Sequence, residues 1–116
     1  PPPAEVITWA RGSTTLPAIR LVVITGCGHA GVINTLNCAR ELTGVNQIHA
    51  VIGGFHLTGP IFEPIIAPTV QALREFNPSV IVPQHCTGWK ATHSIAREFP
   101  EAFVPNSVGT TMVIGA

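Results

Sequence analysis

Three short runs of aliphatic, often β-branched residues punctuate the chain: Leu21–Thr25 (LVVIT), Ile48–Ile52 (IHAVI) and Val80–Val82 (VIV). In each, apolar side chains dominate consecutive rather than strictly alternate positions. This is the pattern of a strand covered on both faces, as in a parallel sheet. Between the runs the apolar spacing widens to the helical period. Val32, Ile33, Leu36, Ala39 and Leu42 fall near one face of a helix over 32–42, and Gly44 is placed to stop it. After a Pro-rich loop over 58–68, a second helix is expected over 69–76, with Val70, Leu73 and Phe76 inward and Pro68 suiting its start. Asn77-Pro78 breaks it. A third helix is expected over 89–99, ended by Pro100.

Phe103-Val104 and Thr111–Ile114 read as final strands. Residues 1–19 read as an irregular N-terminal segment, with a weaker strand at EVITWA and a loop at GSTTLP. The resulting order, β-α-β-α-β-α-β, implies an α/β fold with a mainly parallel sheet and crossover helices.

With 116 residues, the chain has the length of one domain or part of one. Hydrophobic residues make up 46% of it, too many for a disordered chain. The formal net charge is zero, which argues against a general nucleic-acid binder and against an electrostatic membrane anchor. No apolar run approaches the ~18 residues of a membrane-spanning helix. The start, Pro1-Pro2-Pro3, lacks the features of a signal peptide and has no initiator Met, so the chain is expected to have been cut or to lack its beginning. Three cysteines, Cys27, Cys38 and Cys86, cannot all pair within the chain, and this sparse usage suggests a cytoplasmic protein. All six acidic residues are Glu. A mechanism that needs Asp must take it from elsewhere.

The histidines follow the strands. His29 lies after the first run (GCGHAG), His56 after the second (GGFHL) and His85 after the third (PQHCTG). In an open parallel sheet the C-terminal strand ends form one rim, where ligands bind. Three imidazoles there can converge, and imidazole is the commonest side-chain metal ligand near neutral pH. A site of this kind with one open position suits catalytic zinc. Any one such His alone is more often a polar cap. His49, within the second strand, and His93, within the third helix, read as structural or surface residues.

Gly26, Gly28 and Gly31 also match G-x-G-x-x-G between a strand and a helix. A dinucleotide site would place an acid at the end of the next strand. Gly53-Gly54-Phe55-His56 supplies none. Anion binding at the helix start survives as a reading, beside the simpler one that the glycines only permit a tight turn. Cys27 and Cys86 each adjoin a His, and a thiol so placed can serve as nucleophile or soft metal ligand. Sequence neighbours point in different directions, however, and no orienting Asn or Asp is evident. Cys38 reads as core. Trp9 and Trp89 read as packing residues more readily than as pocket walls.

LVVITGCGHAGVINT, IHAVIGGFHL and PSVIVPQHCTGWKA together resemble the C-terminal half of the metallo-β-lactamase-fold hydrolases over roughly residues 20–110. The nearest subgroup is the metal-dependent hydrolases of β-lactamase superfamily II, which includes dihydropterin-methyl-ribofuranosylaminobenzene-phosphate synthases. The resemblance implies that residues 1–116 form one partial domain, half of an αββα sandwich. It implies a bound Zn2+ or another divalent metal such as Mn2+, Fe2+ or Ni2+. His29 and His85 match metal-binding positions of the family. Gly28, His56 and Thr87 are then expected at the substrate. His56 stands near the place of a bridging Asp that this chain lacks, and it could alternatively be a ligand.

The family's H-x-H-x-D-H segment, which belongs to the N-terminal half, has no counterpart here. The expectation is a portion of a hydrolase that uses metal-activated water on a phosphoester or similar small molecule, inactive without its other half. The expected partner is that half or further copies of the chain. The alternative is a non-catalytic, self-associating half-domain that binds metal weakly or not at all.

Overall fold

The computed structural model describes residues 4–11 and 18–114. Four strands, β1 (Ala4–Arg11), β2 (Ala18–Thr25), β3 (Ile48–Gly54) and β4 (Val80–Gln84), form one sheet in the order β1-β2-β3-β4. β2, β3 and β4 run parallel, and β1 is antiparallel to β2. Helices α1 (Val32–Thr43), α2 (Ile66–Phe76) and α3 (Trp89–Glu98) connect or follow the parallel strands. The three apolar runs are therefore the central parallel strands.

The sheet separates two sets of buried side chains, which explains the unbroken apolar runs. Leu21, Val23, Val51 and Ile81 pack with Leu36, Leu73 and Ile95 from the three helices. Val22, Ala50, Ile52 and Val82 form a second cluster that contains no helix residue. Ile24, Val80 and Met112 pack against this second cluster. The described residues thus form a sheet layer with its helices on one face only.

Helix ends follow the expected chemistry. Gly44 caps α1 in the left-handed region (φ 70°) and donates its N–H to Arg40 O. Asn77 caps α2 at φ 48°, a conformation Asn tolerates better than most residues. One turn of 3-10 helix, Glu63–Ile65, leads into α2, so that helix begins three residues before the expected position.

Two expectations are corrected. The strand expected at EVITWA forms and is longer, Ala4–Arg11 paired with 18–25, so residues 1–19 are not the irregular segment expected. β2 begins before its parallel partner does: Ala18–Arg20 pair with β1, whereas pairing with β3 starts at Leu21. The loop expected at GSTTLP lies outside the described residues. At the other end, the two final strands do not form. Phe103 makes one isolated parallel bridge with Ile81. Ile81 N–H donates to Ala102 O and Val104 N–H to Ile81 O. The ladder stops there because Pro83 has no N–H to donate to Val104 O, and 104–114 runs on without a strand.

Candidate metal centre

Each parallel strand ends in a tight loop, and the three loops are stitched to one another. Gly54 N–H donates to Gly26 O (2.8 Å), joining the β3 end to the β2 loop. Leu57 N–H donates to Cys86 O (3.2 Å). Phe55 N–H donates to the hydroxyl of Thr87 (3.1 Å), a bond buried between the second and third loops. Cys86 Sγ donates to Cys27 O (3.0 Å), closing the set.

This stitching depends on missing side chains. A Cβ on Gly28, which has φ 70°, would overlap Gly54 O. A Cβ on Gly54 would lie 2.6 Å from Cys86 Sγ and 2.7 Å from His85 Cε1. The glycines thus let backbone and side chains approach more closely than any L side chain would allow.

One group of three potential metal-ligating side chains converges among the described residues: Cys27, His85 and Cys86, whose donor atoms all lie within 4.8 Å of one another. His85 Nε2 stands 3.2 Å from Cys27 Sγ. Cys27 and His85 are exposed and Cys86 is half-buried. Burial pushes the Cys86 thiol above its ordinary pKa, and the neighbouring Cys27 adds to this, against the lowering effect of the His56 backbone N–H.

The other two strand-end histidines form a second feature beside the first. The His29 and His56 rings meet edge to face with centroids 4.5 Å apart, and the Phe62 ring meets His56 edge to face at 4.7 Å. His56 is held at φ 49°, in the left-handed region that β-carbon-bearing residues avoid. Its Nδ1 is buried and has no hydrogen-bond partner among the described residues. Both rings line a cavity of about 310 Å³. Its walls include Gly28, Phe55, Phe62 and the start of α1.

The expected site residues therefore divide. His29, Gly28 and His56 border this cavity. His85 borders a different, more open cleft with Trp89 and joins the thiols. Thr87 is buried (1% exposed), and its hydroxyl is committed to the Phe55 amide, so it acts on the site through the backbone. Cys27 and Cys86 enter the candidate site by pairing across loops. Cys86 stays with its neighbour His85, and the rim brings Cys27 to the same His across the loops rather than to His29. Both thiols sit immediately beyond parallel strands, which is the signal that could have placed them together.

Trp89 is exposed (74%) and packs on His93, with centroids 3.8 Å apart. Cys38 is half-buried in α1. The side chain of Trp9 lies outside those described.

No family model matches the chain. It is 37% identical over 83 residues, 72% of its length, to the 7,8-dihydropterin-6-methyl-4-(β-D-ribofuranosyl)-aminobenzene-5'-phosphate synthase of Methanocaldococcus jannaschii. It is 34% identical over 76 residues, 66% of its length, to an uncharacterized protein of the same organism. The chain spans 28% of the length of each of these relatives. The crystal structure of Tm1679, a metal-dependent hydrolase of the β-lactamase superfamily, matches with a TM-score of 0.70 at 35% identity, covering 81% of this chain and 36% of that one. The α/β sheet found here thus resembles part of a β-lactamase-superfamily fold, as the sequence motifs lead one to expect.

Proposed function

We propose that this chain supplies one wall of the metal centre in a metal-dependent hydrolase of the metallo-β-lactamase type, acting on a phosphoester or a similar small molecule. The observation that carries this reading is the gathering of imidazoles and thiols at the C-terminal ends of β2, β3 and β4, in a chain 35% identical to part of a metal-dependent hydrolase. His29 and His85 are the proposed imidazole ligands. The donor set fits a divalent cation, since imidazole and thiolate are the groups that transition metals and zinc take. A metal bound there would lower the pKa of a water and polarise a phosphoryl or acyl oxygen.

The remaining residues bind and position. His56 Nδ1, buried and unpartnered at the cavity, is available to a polar group of the substrate. Gly28 lines the cavity and, lacking a Cβ, lets its loop lie against Gly54 O. Thr87 fixes the Phe55 amide and so the turn that carries His56. The chain contains no Asp and no H-x-H-x-D-H segment. Turnover is therefore proposed only when the rest of the fold is supplied, either by its N-terminal half or by another chain.

The test measures metal uptake by the chain and phosphodiesterase activity after mixing with a separately made N-terminal half. Uptake that falls in His29→Ala and His85→Ala, with activity appearing on mixing, is the expected result. Uptake unchanged in both variants sinks the ligand assignment, and absence of activity in the mixture sinks the hydrolase reading. A second reading, a non-catalytic domain that self-associates, is favoured by the helix-free second face of the sheet. Sedimentation of the chain alone, with and without metal, separates the two.

A further inference from the structure

We propose that Cys27, Cys86 and His85 together form a thiolate–imidazole site selective for a thiophilic divalent cation, with Zn2+ as its expected occupant. The proposal rests on the reading that the rim holds a metal, and it adds Cys27 and Cys86 to His85 at one ion, apart from His29, which borders the other cavity.

The geometry is close to what such a site needs. A tetrahedral ion with Zn–S near 2.3 Å and Zn–N near 2.0 Å holds its ligand atoms about 3.5–3.8 Å apart. Here the three donor atoms already lie within 4.8 Å of one another, and Cys27 Sγ and His85 Nε2 are 3.2 Å apart. Small side-chain rotations at two exposed residues and one half-buried residue suffice to bring all three to one ion. The main chain carrying them is fixed by the Gly54–Gly26 and Leu57–Cys86 hydrogen bonds.

The donor set decides selectivity. Two sulfurs and one imidazole nitrogen, with no carboxylate in the cluster, suit zinc and other thiophilic ions and disfavour Mg2+ and Mn2+. Three protein ligands leave a fourth tetrahedral position open, the arrangement of catalytic rather than structural zinc. Binding converts both thiols to thiolates and releases two protons to solvent. The hydrogen bond from Cys86 Sγ to Cys27 O is given up as its proton leaves. Cys38, within α1, lies outside the cluster and serves as the internal control.

The experiment titrates the 116-residue chain with Zn2+ against a chromophoric chelator, and with Co2+ while recording the absorption spectrum. The expected result is one equivalent bound, an intense near-ultraviolet thiolate-to-cobalt charge-transfer band, and protection of two of the three thiols from iodoacetamide by Zn2+. Loss of an outer-shell partner commonly weakens metal sites by about 10–100-fold. Loss of a direct ligand in Cys27→Ser, Cys86→Ser or His85→Ala should therefore weaken Zn2+ at least as much, while Cys38→Ser binds as the parent does. Circular dichroism checks that each variant is folded.

Metal uptake that depends on His29 and His85 but gives no charge-transfer band and no thiol protection overturns this inference and leaves the proposed function standing. Absence of any bound metal overturns both. Rapid alkylation of Cys27 that Zn2+ does not slow shows a thiol–imidazole pair and likewise overturns the site.

Discussion

The buried N–H of Phe55 donates to the hydroxyl of Thr87 across 32 residues of sequence, at 3.1 Å. This bond joins the turn after β3 to the turn after β4, and so sets the spacing between the histidine-bearing loops. Thr87→Val keeps the shape and removes the acceptor, leaving a buried amide unpaired. The expected cost is about 1–3 kcal/mol, read as a lower urea midpoint with an unchanged slope. Thr87→Ser restores the acceptor and most of the stability. Equal stability of the Val and Ser variants would show that the bond contributes little.

Gly53 and Gly54 are neighbours whose substitution should fail in different ways. Gly53 has φ 137° and faces the Thr25 carbonyl so closely that a Cβ would overlap backbone. Gly53→Ala combines backbone strain with overpacking in a central strand and should cost about 3 kcal/mol or more. Gly54 has no such φ, and the nearest atoms to its added Cβ are Cys86 Sγ and His85 Cε1, with Gly26 O next at 2.8 Å. Gly54→Ala should fold with a smaller loss and move those two side chains outward. Thermal melts and zinc titration on the same preparations check the contrast. The two variants should rank in opposite order for lost stability and for metal affinity lost at temperatures where both are folded.

The helix-free face of the sheet is the subject of a third expectation. Met112, in the strandless 104–114 segment, packs against the cluster of Val22, Ala50, Ile52 and Val82. Met112→Asp should lift this segment, because a carboxylate is not retained against an apolar sheet face. A bared apolar face promotes association. The variant should bind more of a hydrophobic dye and sediment at a higher average mass than the parent. If neither changes, the segment does not shield that face.

The central architecture was legible because LVVIT, IHAVI and VIV must bury both faces, which a parallel sheet with covered sides allows and an amphipathic strand does not. The helix positions followed from Gly44, Asn77 and Pro100, residues whose backbone preferences end helices. What local pattern did not reveal was pairing. β1 is defined by its antiparallel register with β2, from Ala4 opposite Thr25 to Arg11 opposite Ala18, a long-range match that composition does not encode. Thr111–Ile114 has strand-like residues but forms no strand, and the bridge begun at Phe103 goes no further because Pro83 has no N–H to donate to Val104 O. The pairing of Cys27 with His85 spans 58 residues and depends on how two loops lie across Gly54. Reasoning from adjacent residues alone separates Cys27 from its neighbour His29 and stops there.

His56 offers a test of whether the rim holds a conformation for function at the expense of stability. Its φ of 49° is one that a Cβ disfavours by roughly 1–2 kcal/mol, while glycine adopts it freely. Its ring also packs against His29 and Phe62. Comparing His56→Ala with His56→Gly separates these effects, since both variants lose the ring and only Ala keeps the strain. His56→Gly should be the more stable of the two by about 1 kcal/mol, after allowing for the greater entropy of glycine in the unfolded chain. If the ring packing is weak, the parent should match His56→Ala, and His56→Gly should exceed it by the same margin. Differential scanning calorimetry of the three proteins at one pH decides it. A glycine variant less stable than the alanine variant would mean that residue 56 does not occupy the left-handed region in solution, and the argument that the turn is held for the sake of the cavity would fall with it.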